Sequence, residues 1–246
     1  MTDARTFRPP SLTPPRVLQL ELLDAPSTVA ADIPANLADI RRLNRWFGGT
    51  SLALRYIRRL VHSYGAHSVL DVATGSADIP VAVARWSRTA RIDLQIDAVD
   101  LYPEVLDQAS KQVAGTSIRL HRADARSLPW PDNSVDVVVS CLALHHFDPP
   151  EARQVLGEMW RVAQYAVLVT DLERSYPGYA GAWLASHTIA PNRLTRNDAP
   201  LSVLRSYTPE EMRRLAREAG LHRTVVKRHA FFRQALIASK GSAHAN

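Results

Sequence analysis

From Asn36 onward apolar residues recur every three or four positions (Leu37, Ile40, Leu43, Phe47), interleaved with Arg41, Arg42 and Arg45, which is the period of an amphipathic helix. Gly48 and Gly49 stop it. A second stretch of the same kind, residues 52–64, ends at Gly65 and carries Arg58, Arg59 and His62 in its last turns, where cations favour the helix dipole. The period then changes. HSVLDV reads as a short buried strand ending in the polar turn TGSAD, and IPVAVARWS as a helix. The order repeats with LQIDAVDL as strand, PEVLDQASKQV as helix with Pro103 at its first position, and SIRLHRAD as strand. VDVVVSCLAL is the most apolar run and predicts a central strand of a parallel sheet; the helix EARQVLGEMWRVA and a fifth strand, YAVLVTDL, follow.

Beyond Asp171 the alternation lapses for about 36 residues, predicting either an inserted cap or a long loop over 172–207. Regularity returns with TPEEMRRLAREAG, where Thr208 is the predicted N-cap, Pro209 the first helical residue, Glu211 the partner in a capping box and Gly220 the stop. RTVVKRHA and FFRQALIAS have no room between them for a crossover helix, so they must pair antiparallel. The order predicts an open α/β sheet, mostly parallel, with right-handed crossovers and an antiparallel C-terminal hairpin.

The 246 residues suit one α/β domain, and 46 % apolar with 22 % charged residues is the composition of a chain that folds. Six of sixteen prolines lie in residues 1–34, read as an arm that is mobile or draped over a domain spanning 35–240; the last residues, KGSAHAN, are expected to fray. Cys141 is the single cysteine, and neither a signal peptide nor an apolar run of about 18 residues is seen, so a cytoplasmic location is expected, with peripheral membrane contact left open. The excess of 30 Lys plus Arg over 24 Asp plus Glu makes an anionic partner worth weighing, although only Lys111, Lys227 and Lys240 are lysines.

In doubly wound sheets ligands sit beyond the carboxyl ends of the strands. Here the first strand runs into Asp71, Thr74, Gly75 and Asp78, the second ends at Asp100, and the third at Asp124 and Ala125. Carboxylates at three strand ends repel a dinucleotide's pyrophosphate and suit a cationic sulfonium amino acid that carries adenosine; the G-x-G-x-x-G turn of an NAD-dependent oxidoreductase is also missing. Charge thus favours S-adenosylmethionine as cofactor.

At these residues the sequence resembles the class I S-adenosylmethionine-dependent methyltransferases, most closely the branch that includes the ubiquinone/menaquinone biosynthesis C-methyltransferases, over roughly residues 37–238. VLDVATGSADIP resembles the family's first motif, and RADARSLPWPDNSVDVVVSCLALHH its third- and fourth-strand motifs. The resemblance implies a doubly wound Rossmann-like fold in which Asp71, Ala73, Thr74, Gly75 and Ala77 cradle the methionine part, Asp100 takes the ribose hydroxyls, Leu101 packs on the base, and Asp124 with Ala125 faces the adenine. Cys141 joins the residues near the donor and is read as core, since cytosine methylation would need a differently placed nucleophile. ANLADIRRLNRWFGG is similar to the segment that closes over the donor, so 35–65 is expected to act as a helical lid.

The chain departs from the family's D-x-G-x-G-x-G by writing Ala73, Gly75 and Ala77. Alanine is tolerated at close-packed sites with ordinary φ, and the acids at all three strand ends argue against a decayed loop. His145 and His146 stand where an acceptor would lie, in the pKa range of a base for a phenol or quinol. Only one of two adjacent side chains is expected to face the pocket, the other capping the next helix or packing beneath the cap. Tyr176, Tyr179, Trp183 and His187 are candidates for an aromatic acceptor pocket. Asp148-Pro149-Pro150 superficially matches the motif of amino-directed nucleic-acid methyltransferases, but prolines at a helix start explain it better. The expected activity is methyl transfer to the oxygen or carbon of a small aromatic acceptor, with no metal. The rivals are an RNA methyltransferase, suggested by arginines 41, 42, 45, 55, 58 and 59, and a silent donor-binding protein.

Overall fold

The run that is most apolar in sequence stands at the centre of the sheet. In the computed structural model, which describes residues 13–24 and 30–241, β4 (Val135–Cys141) is flanked by β1 (Ser68–Val72) and β5 (Ala163–Leu172). With β2 (Gln95–Asp100), β3 (Arg119–Arg122), β6 (Val225–His229) and β7 (Arg233–Ser239) the order is β3-β2-β1-β4-β5-β7-β6. The first five strands are parallel, while β7 lies antiparallel against β5, with Thr170 opposite Ala235, and β6 antiparallel against β7. The predicted hairpin and the central place of the fourth strand are both observed.

Both sheet faces are covered. Alternation along β4 sends Val138 to one side, with Leu70, Leu236 and the helices α5 (Pro149–Val162) and α8 (Pro209–Glu218) through Met159 and Met212. Val137 and Val139 face the other side, with Ile57 of α2 (Gly49–Tyr64), Val83 of α3 (Asp78–Ala90) and Ala109 of α4 (Pro103–Val113). The cap over 208–220 is as the pattern predicts: the Thr208 side chain accepts from the Glu211 amide, Glu211 reciprocates, and Gly220 takes φ +81°. Asp148, Pro149 and Glu151 form the same kind of helix start for α5, so the prolines there serve the helix.

Two alternatives that the pattern leaves open are decided. The segment after Asp171 is no loop: it folds into α6 (Tyr176–Ile189) and α7 (Arg193–Arg205), packed against each other and, through α7, against α1 (Ile33–Trp46). Its helical period was hidden because α6 turns glycines and alanines inward and aromatics outward, the reverse of an ordinary amphipathic helix. The arm, for its part, is draped rather than mobile over 13–24. The Arg16 guanidinium lies 4.2 Å from the Tyr207 ring centroid and donates to the carbonyls of Arg205 (2.6 Å) and Phe147 (2.8 Å), while buried Arg174 donates to the Pro14 carbonyl (2.9 Å). A short 3-10 turn follows at Leu22–Asp24, and Pro34 belongs to the first turn of α1. The expected fraying of KGSAHAN falls almost wholly outside the described residues.

Removing the Arg16 anchor should loosen the arm and leave the sheet intact. Arg16→Ala is expected to cost about 1–3 kcal/mol in denaturant unfolding and to raise protease sensitivity within residues 13–24 first. An unchanged cleavage pattern would contradict this anchoring.

Candidate functional site: the loop after the first strand and a nearby cavity

β1 ends in a loop whose backbone turns sharply at alternate residues. Ala73, Gly75 and Ala77 have φ of +56°, +56° and +59°, so both alanines adopt the left-handed conformation that glycine takes without penalty. The expectation of ordinary φ at these alanines is wrong. The loop keeps the glycine-motif geometry at a cost of roughly 1–2 kcal/mol per alanine. It is held by Thr74 N donating to the Val99 carbonyl (2.9 Å), Gly75 N to Asp100 Oδ2 (2.9 Å) and Thr74 Oγ1 to Asp71 Oδ2 (2.6 Å).

Above Gly75 a Cβ would meet nothing within 4 Å, so the loop faces open space. Beneath it Asp71 Oδ1 is buried without a hydrogen-bond partner. Burial, opposed by the Thr74 hydrogen bond and reinforced by Asp78 and Asp100, pushes the Asp71 carboxyl up to about 7; burial likewise raises Asp78 and Asp100. A crowd of strained carboxyl groups beside an open cradle fits a cationic ligand.

The remaining donor-side candidates divide. Leu101 and Tyr102 are exposed at the end of β2, where Tyr102 N donates to Asp100 Oδ1 (3.2 Å) and a flat group could stack. Ala123 N donates to the Asp100 carbonyl, which brings the neighbouring Asp124 and Ala125 to the same edge; Ala125 is buried. Asp124 itself is engaged by the guanidinium of Arg126, whose hydrogen bond holds its carboxyl below the usual range, and Arg126 also pairs with Glu151. Cys141 packs among core residues, and burial drives its thiol well above the ordinary value, as suits a core residue and not a nucleophile.

Beyond β4 the chain turns at Leu142 (φ +57°) into a 3-10 turn, Leu144–His146. This turn does what extended backbone would not: both imidazoles face the same cavity, with ring centroids 4.4 Å apart and a tilt of 32°. The expectation that only one could do so is overturned, and the next helix is capped by Asp148 instead. His145 Nδ1 lies 2.7 Å from Asp171 Oδ1, and His146 Nδ1 lies 2.6 Å from Asp24 Oδ2. Burial pulls the His146 imidazole down, but the Glu21 carboxylate and the Asp24 hydrogen bond prevail and raise it to about 9.

The cavity holds about 220 Å³. Its walls are mostly apolar: Ile40, Leu43 and Phe47 from α1, the small inner face of α6, Val203 of α7, and Phe231 with Phe232 from the tip of the β6–β7 hairpin. Those two phenylalanines have φ of +58° and +52°, and Phe231 meets Phe47 edge-on at 5.6 Å. Gly178 is required for close approach, since a Cβ there would lie 3.2 Å from the Phe232 ring. The predicted aromatic residues lie outside this cavity: Tyr176, Tyr179 and Trp183 are exposed on the outer face of α6, where Tyr179, Trp183 and His187 border a second, open groove and Trp183 stacks on His187. Polar groups reach the cavity from Glu21, Asn36, Asn44, Asp198 and buried Arg233, whose guanidinium burial pulls down to about 10.

Glu21, Asp24, Asp171 and the hairpin phenylalanines were not predicted. Asp171 had a readable signal, being the acid at the end of the fifth strand; Glu21 had none, because its place depends on how a proline-rich arm docks.

Comparison with known proteins agrees with this geometry. Residues 69–165 match a family described as a methyltransferase domain. The chain is 28 % identical over 188 residues to the demethylmenaquinone methyltransferase of Porphyromonas gingivalis, covering 71 % of this chain and 74 % of that enzyme. It is 41 % identical over 103 residues to the corresponding enzyme of Deinococcus radiodurans, where the match spans 39 % of this chain and 40 % of the relative. Among solved structures, an S-adenosylmethionine-dependent methyltransferase from Aquifex aeolicus superposes with a TM-score of 0.57 at 18 % identity, over 81 % of this chain and 97 % of that one. The magnesium protoporphyrin IX methyltransferase of Synechocystis, solved with S-adenosylhomocysteine bound, does so with a TM-score of 0.57 at 14 % identity, over 83 % and 86 %. The fold is that of the class I S-adenosylmethionine-dependent methyltransferases, and with the domain matched over 69–165 it supports S-adenosylmethionine-dependent methyl transfer by this chain.

Two outcomes are expected at the donor loop. Asp71, with its carboxyl raised to about 7 in the folded protein, gains full negative charge only as pH rises through that value. Affinity for the cationic donor should therefore rise from pH 6 to pH 8, by at most about tenfold when binding holds the carboxylate ionised throughout, and affinity for the thioether product should rise less. Calorimetry on wild type and Asp71→Asn tests this, and an equal pH slope in both would refute it. Ala73→Gly is expected to raise stability by up to about 1 kcal/mol by relieving the left-handed strain, whereas buried Ala77→Gly gains less because it also leaves a void; thermal unfolding measures both.

Proposed function

We propose that the enzyme transfers the donor's methyl to the oxygen or carbon of a small aromatic phenol or quinol, held in the cavity with its reactive hydroxyl at His145 and His146. One observation carries this reading: an apolar cavity sized for a single substituted ring, whose wall residue Asn44 hydrogen-bonds Asp78 at the end of the loop after β1, presents a carboxylate-oriented imidazole pair. The bound donor supplies an electrophilic methyl on a sulfonium centre. The protein supplies alignment and removal of the acceptor's proton.

Asp171 holds the His145 ring by its Nδ1 proton, leaving Nε2 free to accept the proton of an acceptor hydroxyl, a step that serves O- and C-methylation alike. Phe47, Phe231 and Phe232 supply flat apolar contact, and Gly178, Gly181, Ala182 and Ala185 leave room beside them for an alkyl substituent. In this reading Asp71, Ala73, Thr74, Gly75, Ala77, Asp100 and Leu101 hold the donor, Asp124 and Ala125 border its base, α1 and α2 form the lid, and α6 with α7 forms the cap. The names of the quinone-biosynthesis relatives support an acceptor of this class. Enclosure of the cavity between α1 and α6–α7 supports a small molecule over RNA. No helix among the described residues is long and apolar enough to cross a membrane.

Asp100→Ala should weaken S-adenosylhomocysteine binding about tenfold or more, by calorimetry, through loss of the groups placed at the ribose. His145→Ala should keep that binding and lower kcat for an alkylphenol or quinol by about a hundredfold. Undiminished turnover in both His145→Ala and His146→Ala would remove the imidazoles from the mechanism.

A further inference from the structure

We propose that Glu21, His145 and His146 form a binding site for a divalent transition-metal ion, with its open coordination position facing the acceptor cavity. Both histidines are oriented by acids: Nδ1 of His145 lies 2.7 Å from Asp171, and Nδ1 of His146 lies 2.6 Å from Asp24. A carboxylate accepts and does not donate, so each Nδ1 carries the proton, and in the neutral ring each Nε2 is left as a lone pair. Both Nε2 atoms point at one carboxylate, Glu21, at 3.5 Å from Oε1 and 3.9 Å from Oε2.

Two imidazole nitrogens and a carboxylate thus converge on one point, at distances too long for hydrogen bonds between them, and a bound cation would displace any proton the His146 ring carries there. A metal ion resolves this. Neighbouring ligands of a tetrahedral Zn2+ lie about 3.3–3.5 Å apart, given bonds of about 2.0–2.1 Å, and the three donor atoms here lie within 4.8 Å of one another. The shell behind them is that of a metal centre: a carboxylate on the far nitrogen of each imidazole fixes its tautomer and raises its basicity, and Ser202 Oγ holds Glu21 Oε1 at 2.8 Å.

Charge agrees. Glu21, Asp24, Asp171 and Asp198 surround the cluster, against the guanidiniums of Arg205, 3.8 Å from Glu21, and Arg16, with Arg233 across the cavity, so with both rings neutral, as in a metal ligand, negative charge is in excess. Two imidazoles and one carboxylate suit first-row ions such as Zn2+, Co2+ or Fe2+ better than Mg2+ or Ca2+. Three protein ligands leave a position for a fourth, as in catalytic metal sites. An acceptor hydroxyl would take that position as its anion: the O–H bond breaks, the proton passes to water, and a metal–oxygen bond forms. Only this last assignment rests on the acceptor class proposed above; the ion's site does not.

The test uses the full chain after treatment with a chelator, titrated with Co2+. One Co2+ per chain should bind, with the visible d–d absorption of a four- or five-coordinate ion, and Zn2+ should displace it. Glu21→Gln, which keeps the shape and the Ser202 contact, and His146→Ala should each weaken binding at least tenfold, while S-adenosylhomocysteine affinity on the same samples stays unchanged and reports an intact fold. Absence of a saturable Co2+ spectrum in the wild type, or equal spectra in the variants, overturns the site and leaves an imidazole–carboxylate cluster in its place. A Co2+ spectrum that no phenol or quinol perturbs counts against the acceptor reading and not the metal. Methylation of such an acceptor without Co2+ binding does the reverse.

Discussion

Asp171 is the residue on which the geometry of this site depends. At the end of β5 and almost wholly buried, its carboxylate accepts from the backbone amide of His145 (3.0 Å), from His145 Nδ1 (2.7 Å) and from the amide of Leu172 (2.8 Å). A buried carboxylate is costly unless its lone pairs are filled, and here they are filled by the turn that carries both histidines. The same carboxylate therefore closes the end of the sheet and sets the direction in which the imidazoles face. Together with the Leu142 amide, which donates to the Thr170 carbonyl (2.8 Å), it holds the left-handed step at Leu142 and the 3-10 turn after it in register against β5.

The second constraint is the arm, which brings Glu21 and Asp24 to the histidines. Its anchors are arginines with backbone carbonyls as partners. Arg16 donates to Arg205 and Phe147, Arg174 to Pro14 and Ser206, and Arg205 to Gln19 and His146. A planar guanidinium with several donors can satisfy carbonyls from segments distant in sequence, which lysine cannot do in the same way. Part of the arginine excess that suggests an anionic partner is in fact internal. Arg174, Arg205 and Arg233 are buried and join the arm, α1, α7 and the hairpin around the cavity.

The donor loop shows how backbone geometry can persist when its characteristic residues change. Glycines at 73 and 77 would adopt positive φ freely; alanines do so because Thr74 N, Gly75 N and Thr74 Oγ1 are all held by the strand ends around them. Asp71 and Asp100 thus serve the loop before any ligand arrives, and their crowding makes a cationic donor electrostatically favourable.

Strand and helix order, the central place of 135–141, the capping box at Thr208 and the antiparallel hairpin were all legible along the chain, because each follows from local periodicity or from a connection too short for another topology. The acids at three strand ends were legible for the same reason, since a strand's end places the next residue at the carboxyl edge of the sheet. What local pattern could not show was direction. α6 hides its helical period by turning small residues inward, His145 and His146 share one cavity only because of a 3-10 turn, and Glu21 reaches them only through an arm whose anchors lie more than a hundred residues away. Sequence by itself determined the strands, the helices outside 172–207 and which strand ends carry charge, since those are decided by neighbours along the chain. Tertiary structure decided which side chains meet, since that depends on hydrogen bonds between segments that periodicity does not connect.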